Sequence, residues 1–147
     1  MSDIQLKFLD QTIEEDVVFL YETRRHSEIV PFLFGEPPES LALHKAWLKD
    51  NVPSERLLFI LKVDGKSVGY CQAYNFEGNT VEVGFVVHPN WQGNGYGSKM
   101  VDLLVEEIKR RMPEKKIVLE VKANNLMAIG LYQRHGFVKN SIHMEME

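Results

Sequence analysis

Glu82-Val83-Gly84-Phe85-Val86-Val87-His88-Pro89-Asn90-Trp91-Gln92-Gly93-Asn94-Gly95-Tyr96-Gly97-Ser98 is the stretch on which the fold turns. Its first part is rich in β-branched residues, as a strand requires, and Pro89 ends the run. Its second part sets glycines at 93, 95 and 97, just before a helical pattern begins. Glycine lets the main chain turn tightly and approach a ligand closely. The first amides of the following helix have no intrahelical acceptor, and with the helix dipole they favour an anion. A strand, a glycine-rich turn that either holds an anion or only starts the helix, and the helix itself thus follow in one continuous segment.

Upstream, 57–63 is a dense apolar run, Asp64-Gly65 is a hairpin turn signal, and 67–75 is the returning strand. Glu77-Gly78-Asn79 makes a second turn into a third strand at 80–88. Strands joined so tightly are antiparallel neighbours. Nearer the start, Thr12 and Glu15 form a capping-box pattern. The helix it opens is expected to run to about His26 and to bury Ile13, Val17, Leu20 and Tyr21. Pro31 closes that region, and a loop with Gly35, Pro37 and Pro38 follows. Ser40 is placed to cap a short second helix carrying Leu41, His44, Trp47 and Leu48.

Downstream, 96–112 reads as a helix with Val101, Leu104, Val105, Ile108 and Met112 on one face. Glu106–Arg110 and Glu107–Arg111 are supportive pairs on the other face. Pro113 stops it, 116–122 is a β-branched strand, and 125–135 is a further helix with Gly136 set to end it in the left-handed conformation. From Phe137 a final strand or short, tight hairpin is expected. The unit 80–122 is a strand–helix–strand crossover that joins two parallel strands. A meander leading into one parallel pair creates a topological switch at the end of the third strand, where ligands tend to bind.

Composition sets the boundaries. The 147 residues make one domain over 1–147, with 44% apolar and 26% charged residues, and these values argue against disorder. No apolar run is long enough to span a membrane, and no secretory pattern opens the chain, so no membrane partner is expected. Cys71 is the single cysteine, which fits a reducing, cytoplasmic setting and excludes a zinc site built from several cysteines. The histidines His26, His44, His88, His135 and His143 lack close ligand spacing, so no metal is expected. A net charge of −4, a pI near 5.8 and the lack of a basic run argue against nucleic acid.

Two familiar phosphate motifs fit the glycine loop poorly. A Walker loop needs Gly-Lys-Ser/Thr, whereas the order here is Gly97-Ser98-Lys99. A dinucleotide fingerprint needs glycine where Ser98 stands and belongs to the first strand–helix unit of a chain. The run Gln92-Gly93-Asn94-Gly95-Tyr96-Gly97 instead resembles the Gln/Arg-x-x-Gly-x-Gly/Ala loop of the GNAT N-acetyltransferase superfamily. Glu82 to Pro89 is similar to that family's fourth strand, and Asn125 to Phe137 resembles its Asn-x-x-Ala-x-x-Leu-Tyr-x-x-x-Gly-Phe helix. The order of elements agrees along nearly the whole chain.

The resemblance implies an α/β fold of the mixed α+β kind. Its central, mostly antiparallel sheet has about six to seven strands flanked by helices, and a splayed parallel pair holds the cofactor. It implies acetyl-CoA as cofactor, with the diphosphate on the amides of Gln92, Gly93, Asn94, Gly95, Tyr96, Gly97 and Ser98. The pantetheine arm would lie along Phe85, Val86 and Val87, with Asn125 bonding it and Tyr132 protonating the departing thiolate. Residues read as plain structure have their own claims: Asn125 or Asn124 as a helix cap, Tyr132 and the 85–87 side chains as core. Glu82 is a candidate base whose position in the strand equally suits an outward-facing residue, and His88 is a second candidate. Cys71 reads as a buried structural thiol rather than a nucleophile.

The implied reaction is direct attack of a primary amine on the thioester; the alternative is a non-catalytic acyl-CoA-binding module. The implied acceptor wall involves Phe32, Phe34, Glu36, His44 and Trp47. An amino sugar, another small amine or a protein N-terminus remain open as acceptors. With so few residues after Phe137, the last hairpin is expected to be very short, which leaves part of that wall either missing or supplied by a partner subunit, the latter implying a homodimer.

Overall fold

Asp64 and Gly65 take φ of 51° and 81°, the paired left-handed values of a two-residue hairpin turn. They join β2 (Arg56–Val63) to β3 (Lys66–Tyr74). Gly78, at φ 77°, stands in the turn to β4 (Thr80–Val87). This meander is the centre of the computed structural model, which describes residues 2–50, 55–140 and 143–146.

The sheet has seven strands in the order β1-β2-β3-β4-β5-β7-β6, within the expected six to seven. The parallel neighbours are β4 and β5 (Lys116–Glu120), joined through α3 (Tyr96–Arg111). The final hairpin is short, as expected: β6 (Phe137–Asn140) and β7 (His143–Met146), with β7 inserted between β5 and β6. One strand escaped the sequence reading: β1 (Ile4–Phe8) pairs antiparallel with β2 along its whole length.

Helices cover both faces. On one, α3 buries Met100, Val101, Leu104 and Ile108 against Leu57, Phe59, Leu61, Cys71, Val81 and Val83. Each such side chain contributes about 1.5–3 kcal/mol, an upper bound because the unfolded chain is already partly collapsed. The helix α4 (Leu126–Arg134) adds Ile129 and Tyr132 to the same core. On the other face, α1 (Glu14–Arg25) and α2 (Leu41–Asp50) pack Val17, Leu20 and Leu48 around Tyr70. Period two along β3 serves both layers: Cys71 and Ala73 join the first core, Tyr70 the second.

Three local expectations are corrected. The Thr12–Glu15 capping box does not form: Ile13 is the N-cap residue, and the Thr12 hydroxyl is engaged by Asp10 Oδ1 at 2.6 Å. The inward face of α1 is Asp16, Val17, Leu20 and Thr23, whereas Ile13 is exposed and Tyr21 half-buried. A carboxylate is tolerated there because Lys62 Nζ reaches Asp16 Oδ1 at 2.8 Å, also donating to Ser67 Oγ at 2.8 Å. On α3, Arg110 pairs with Glu107 rather than with Glu106, so one carboxylate takes both arginines. Other expectations hold: Ser40 Oγ accepts from the Leu43 amide at 3.1 Å, and Gly136 follows α4 at φ 93°.

Candidate active site: a cleft between splayed strands

The parallel ladder between β4 and β5 runs only from Thr80 to Glu82. Beyond it, β5 keeps only β7, on its other edge, while β4 stays on β3. Gly84, Phe85, Val86 and Val87 therefore carry main-chain groups on an edge that no strand among the described residues covers. A cleft of about 920 Å³ opens there, a volume suited to a large small-molecule ligand.

The glycine loop forms one end of the cleft. Gly93 and Gly95 sit at φ 83° and 80°, a conformation that strains any residue with a Cβ. Gly95 is the N-cap of α3, and the Lys99 amide donates to the Gly95 carbonyl at 3.2 Å. The amides of Tyr96, Gly97 and Ser98 thus lack intrahelical acceptors and form an anion site with the helix dipole. Gln92 Nε2 donates to Val87 O at 3.0 Å, tying the loop to the end of β4. Gln92, Gly93, Gly95, Tyr96, Gly97 and Ser98 line the cleft; Asn94 does not, and its amide group bonds Trp91 O at 2.9 Å, shaping the loop from behind. Phe85, Val86 and Val87 also line it.

Asn125 and Tyr132 line the opposite wall. Asn125 caps α4, with Oδ1 accepting from the Ala128 amide at 3.4 Å. Tyr132 is 7% exposed, its ring 5.8 Å from Phe85 and 6.0 Å from Phe137. Burial pushes its phenol above the usual value, so it stays protonated at neutral pH and can serve as a proton donor.

Glu82 is not itself in the lining. Tyr74, which is, donates from its hydroxyl to Glu82 Oε2 at 2.6 Å, and Asn75 Nδ2 donates to Oε1 at 3.1 Å. Burial first, and then the bond to Glu82, push the Tyr74 phenol up. His88 also stands outside the lining; its Nδ1 accepts from Asn90 N at 3.1 Å in the 3-10 turn Pro89–Trp91. Burial, with His26 beside it, lowers its pKa. Cys71 is fully buried, and desolvation holds its thiol well above the usual value. Among the described residues, no group of three or more His, Cys, Asp or Glu is placed to hold a metal ion.

The far end of the cleft is made by the first helical layer. Phe32, Phe34 and Glu36 line it, but His44 and Trp47 pack behind. Residues that the sequence reading missed also face the space: Arg24, Tyr70, Gln72, Tyr74 and Glu120. Arg24 lies 4.6 Å over the Trp47 ring, and Arg56 lies over Trp47 and Tyr74 at 5.3 and 4.4 Å. The signal for the three β3 residues was present: 70, 72 and 74 share one face by period two.

These features have counterparts among known proteins. The probable spermine N(1)-acetyltransferase of Bacillus subtilis subsp. natto is 39% identical over 56 residues, 38% of this chain and 37% of that protein. The match thus spans little over a third of that relative's length. Aminoglycoside N(6')-acetyltransferase type 1 of Klebsiella pneumoniae is 27% identical over 140 residues, covering 84% of this chain and 70% of the relative. The spermidine N-acetyltransferase of Vibrio cholerae, solved in complex with CoA and spermine, shares the fold with a TM-score of 0.84 at 20% identity, over 94% of this chain and 82% of that one. Residues 18–137, which hold the loop, the splayed strands and the helix of Asn125 and Tyr132, match the Acetyltransferase (GNAT) family, and the chain belongs to it.

Proposed function

We propose that this chain transfers an acetyl group from acetyl-CoA to the primary amine of a small molecule by direct attack. One observation carries the reading: the unpaired edge of β4, the amides at the start of α3 and the Tyr132 phenol open into a single cleft. The residues fit the cofactor. The amides of Tyr96, Gly97 and Ser98, beside the turn at Gly93 and Gly95, supply donors for a diphosphate, the edge at Phe85 to Val87 suits an arm rich in amides, and Asn125 stands beside that path. When bound, acetyl-CoA supplies the activated acetyl group.

The chain's own residues account for the remaining chemistry. Amides of β4 are placed to stabilise negative charge on the acyl oxygen. Tyr132, kept protonated by burial, donates a proton to the departing sulfur. Glu82 takes up the proton of the amine through the Tyr74 hydroxyl or a water beside it. The acceptor end carries Glu28, Glu36 and Glu120, carboxylates suited to steering a cationic amine. The substrates named for the matched relatives, spermine and aminoglycosides, support the same class. A second copy completing the acceptor wall, and a cytoplasmic setting, belong to this reading.

Thermal unfolding with acetyl-CoA, CoA and NAD, followed by turnover with a panel of amines, tests it. Ligand at about a hundred times its Kd adds roughly 2.7 kcal/mol of stability. A shift with both CoA forms but not NAD, and turnover with small amines, is the expected result. A shift without turnover on any amine would favour a non-catalytic acyl-CoA-binding module. No shift would remove the reading.

A further inference from the structure

Ser98, His135 and Asp102 form a chain of polar contacts at the anion end of the cleft. Ser98 Oγ lies 2.8 Å from His135 Nε2, and His135 Nδ1 lies 3.0 Å from Asp102 Oδ1. Ser98 and Asp102 are one turn apart on α3, while His135 comes from the end of α4. The His135 side chain is 14% exposed and Asp102 is 63% exposed, so the imidazole is enclosed between the hydroxyl of a cleft-lining residue and a solvated carboxylate. Among the described residues, Asp102 is the charged group in contact with the ring; Lys99 on α3 and Arg134 on α4 flank the pair in sequence and are exposed.

Proton bookkeeping gives this chain of contacts a direction. The Asp102 carboxylate only accepts, so it selects the ring form with hydrogen on Nδ1. If the imidazole is neutral, Nε2 is then a bare acceptor and the Ser98 O–H must point at it. The hydroxyl would turn only lone pairs toward an anion in the cleft. If the imidazole is protonated, Nε2–H donates to Ser98 Oγ, and the Ser98 O–H is released to donate to the anion. The second arrangement also brings a positive charge one hydrogen bond behind the phosphate site.

We propose that His135, held by Asp102, is a positioning residue that turns the Ser98 hydroxyl into a donor toward the diphosphate of the cofactor, taking up a proton as the diphosphate binds. The inference rests on the acetyl-CoA reading above and adds to the main-chain cradle a side-chain contact whose polarity is set from 37 residues away.

Calorimetric titration of CoA into the intact protein, in buffers of different ionisation enthalpy near pH 7, tests it. The variants are Ser98→Ala, His135→Phe, the double variant and His135→Gln, each first shown to unfold cooperatively. Ser98→Ala and His135→Phe should each weaken CoA about tenfold, the value of one hydrogen bond to a charged group. The double variant should be no weaker than either single one. The glutamine amide can donate through Nε2 without taking up a proton, so His135→Gln should keep most of the affinity yet bind with fewer protons taken up than wild type. The difference between the two proteins cancels the ligand's own protonation. Wild-type affinity in His135→Phe, equal proton uptake in wild type and His135→Gln, or additive losses in the double variant would each overturn the proposal. Failure of the wild type to bind CoA would instead remove the function reading itself.

Discussion

Tyr74 and Glu82 are direct partners in the β3–β4 ladder, and the Tyr74 hydroxyl donates to Glu82 Oε2 at 2.6 Å, so a cleft-lining phenol stands between the carboxylate and the reaction space. If Glu82 is the base, it works through that hydroxyl or a water beside it. Glu82→Gln should lower kcat by about a hundredfold and leave CoA affinity unchanged. An unaltered kcat would exclude Glu82 from proton transfer.

Tyr132→Phe removes one hydroxyl from a ring that otherwise packs against Phe85 and Phe137. The expected result is a loss of kcat between about 10² and 10⁴ with little change in CoA affinity or melting temperature. Full activity in the variant would show that the phenol is a packing group.

His44 is 1% exposed, and neither ring nitrogen has a hydrogen-bond partner among the described residues. Burial, with the positive charge of Arg24 adding to it, lowers its pKa from 6.5 to about 4. The unfolded chain then binds more protons than the folded one between those values, so stability is full above about pH 6.5 and falls as the pH drops toward 4. The loss reaches at most about 3 kcal/mol. His44→Phe should flatten that part of the stability profile, measured by urea titration from pH 7 to 4. An identical slope in the variant would assign the acid sensitivity to carboxylates elsewhere.

Gly69 faces Val87 across the β3–β4 ladder, and a Cβ there would lie 2.6 Å from Val86 O and 3.3 Å from Val87 Cα. Those are backbone atoms with no rotamer to move. Gly69→Ala should cost about 1–3 kcal/mol and push β4 toward the cleft. CoA affinity should fall with stability, whereas Gly84→Ala, which meets only the Gln72 side chain at 3.6 Å, should be milder.

Much of this arrangement was legible because its causes are local. Turn residues such as Asp64-Gly65 and the helical period of 96–112 fixed elements to within a residue or two. The anion loop was readable because glycine torsion and a helix start need no distant partner. Contests between side chains were not: nothing in Thr12 or Glu15 announces that Asp10 takes the hydroxyl. The strand β1 is five residues long and gains its identity only by pairing with β2, more than fifty positions away. Within the site, the screening of Glu82 by Tyr74 depends on strand register, and the meeting of Ser98 with His135 on how α3 packs beside α4. Neither is written in spacing along the chain.

The uncovered edge of β4 has a kinetic consequence. A strand edge reads peptide-like groups at fixed intervals and is blind to what hangs on the sulfur beyond them. On the reading above, the spent carrier is then held about as firmly as the loaded one. Turnover would then follow the ratio of the two in the surroundings, slowing as acetyl supply falls even when amine is abundant.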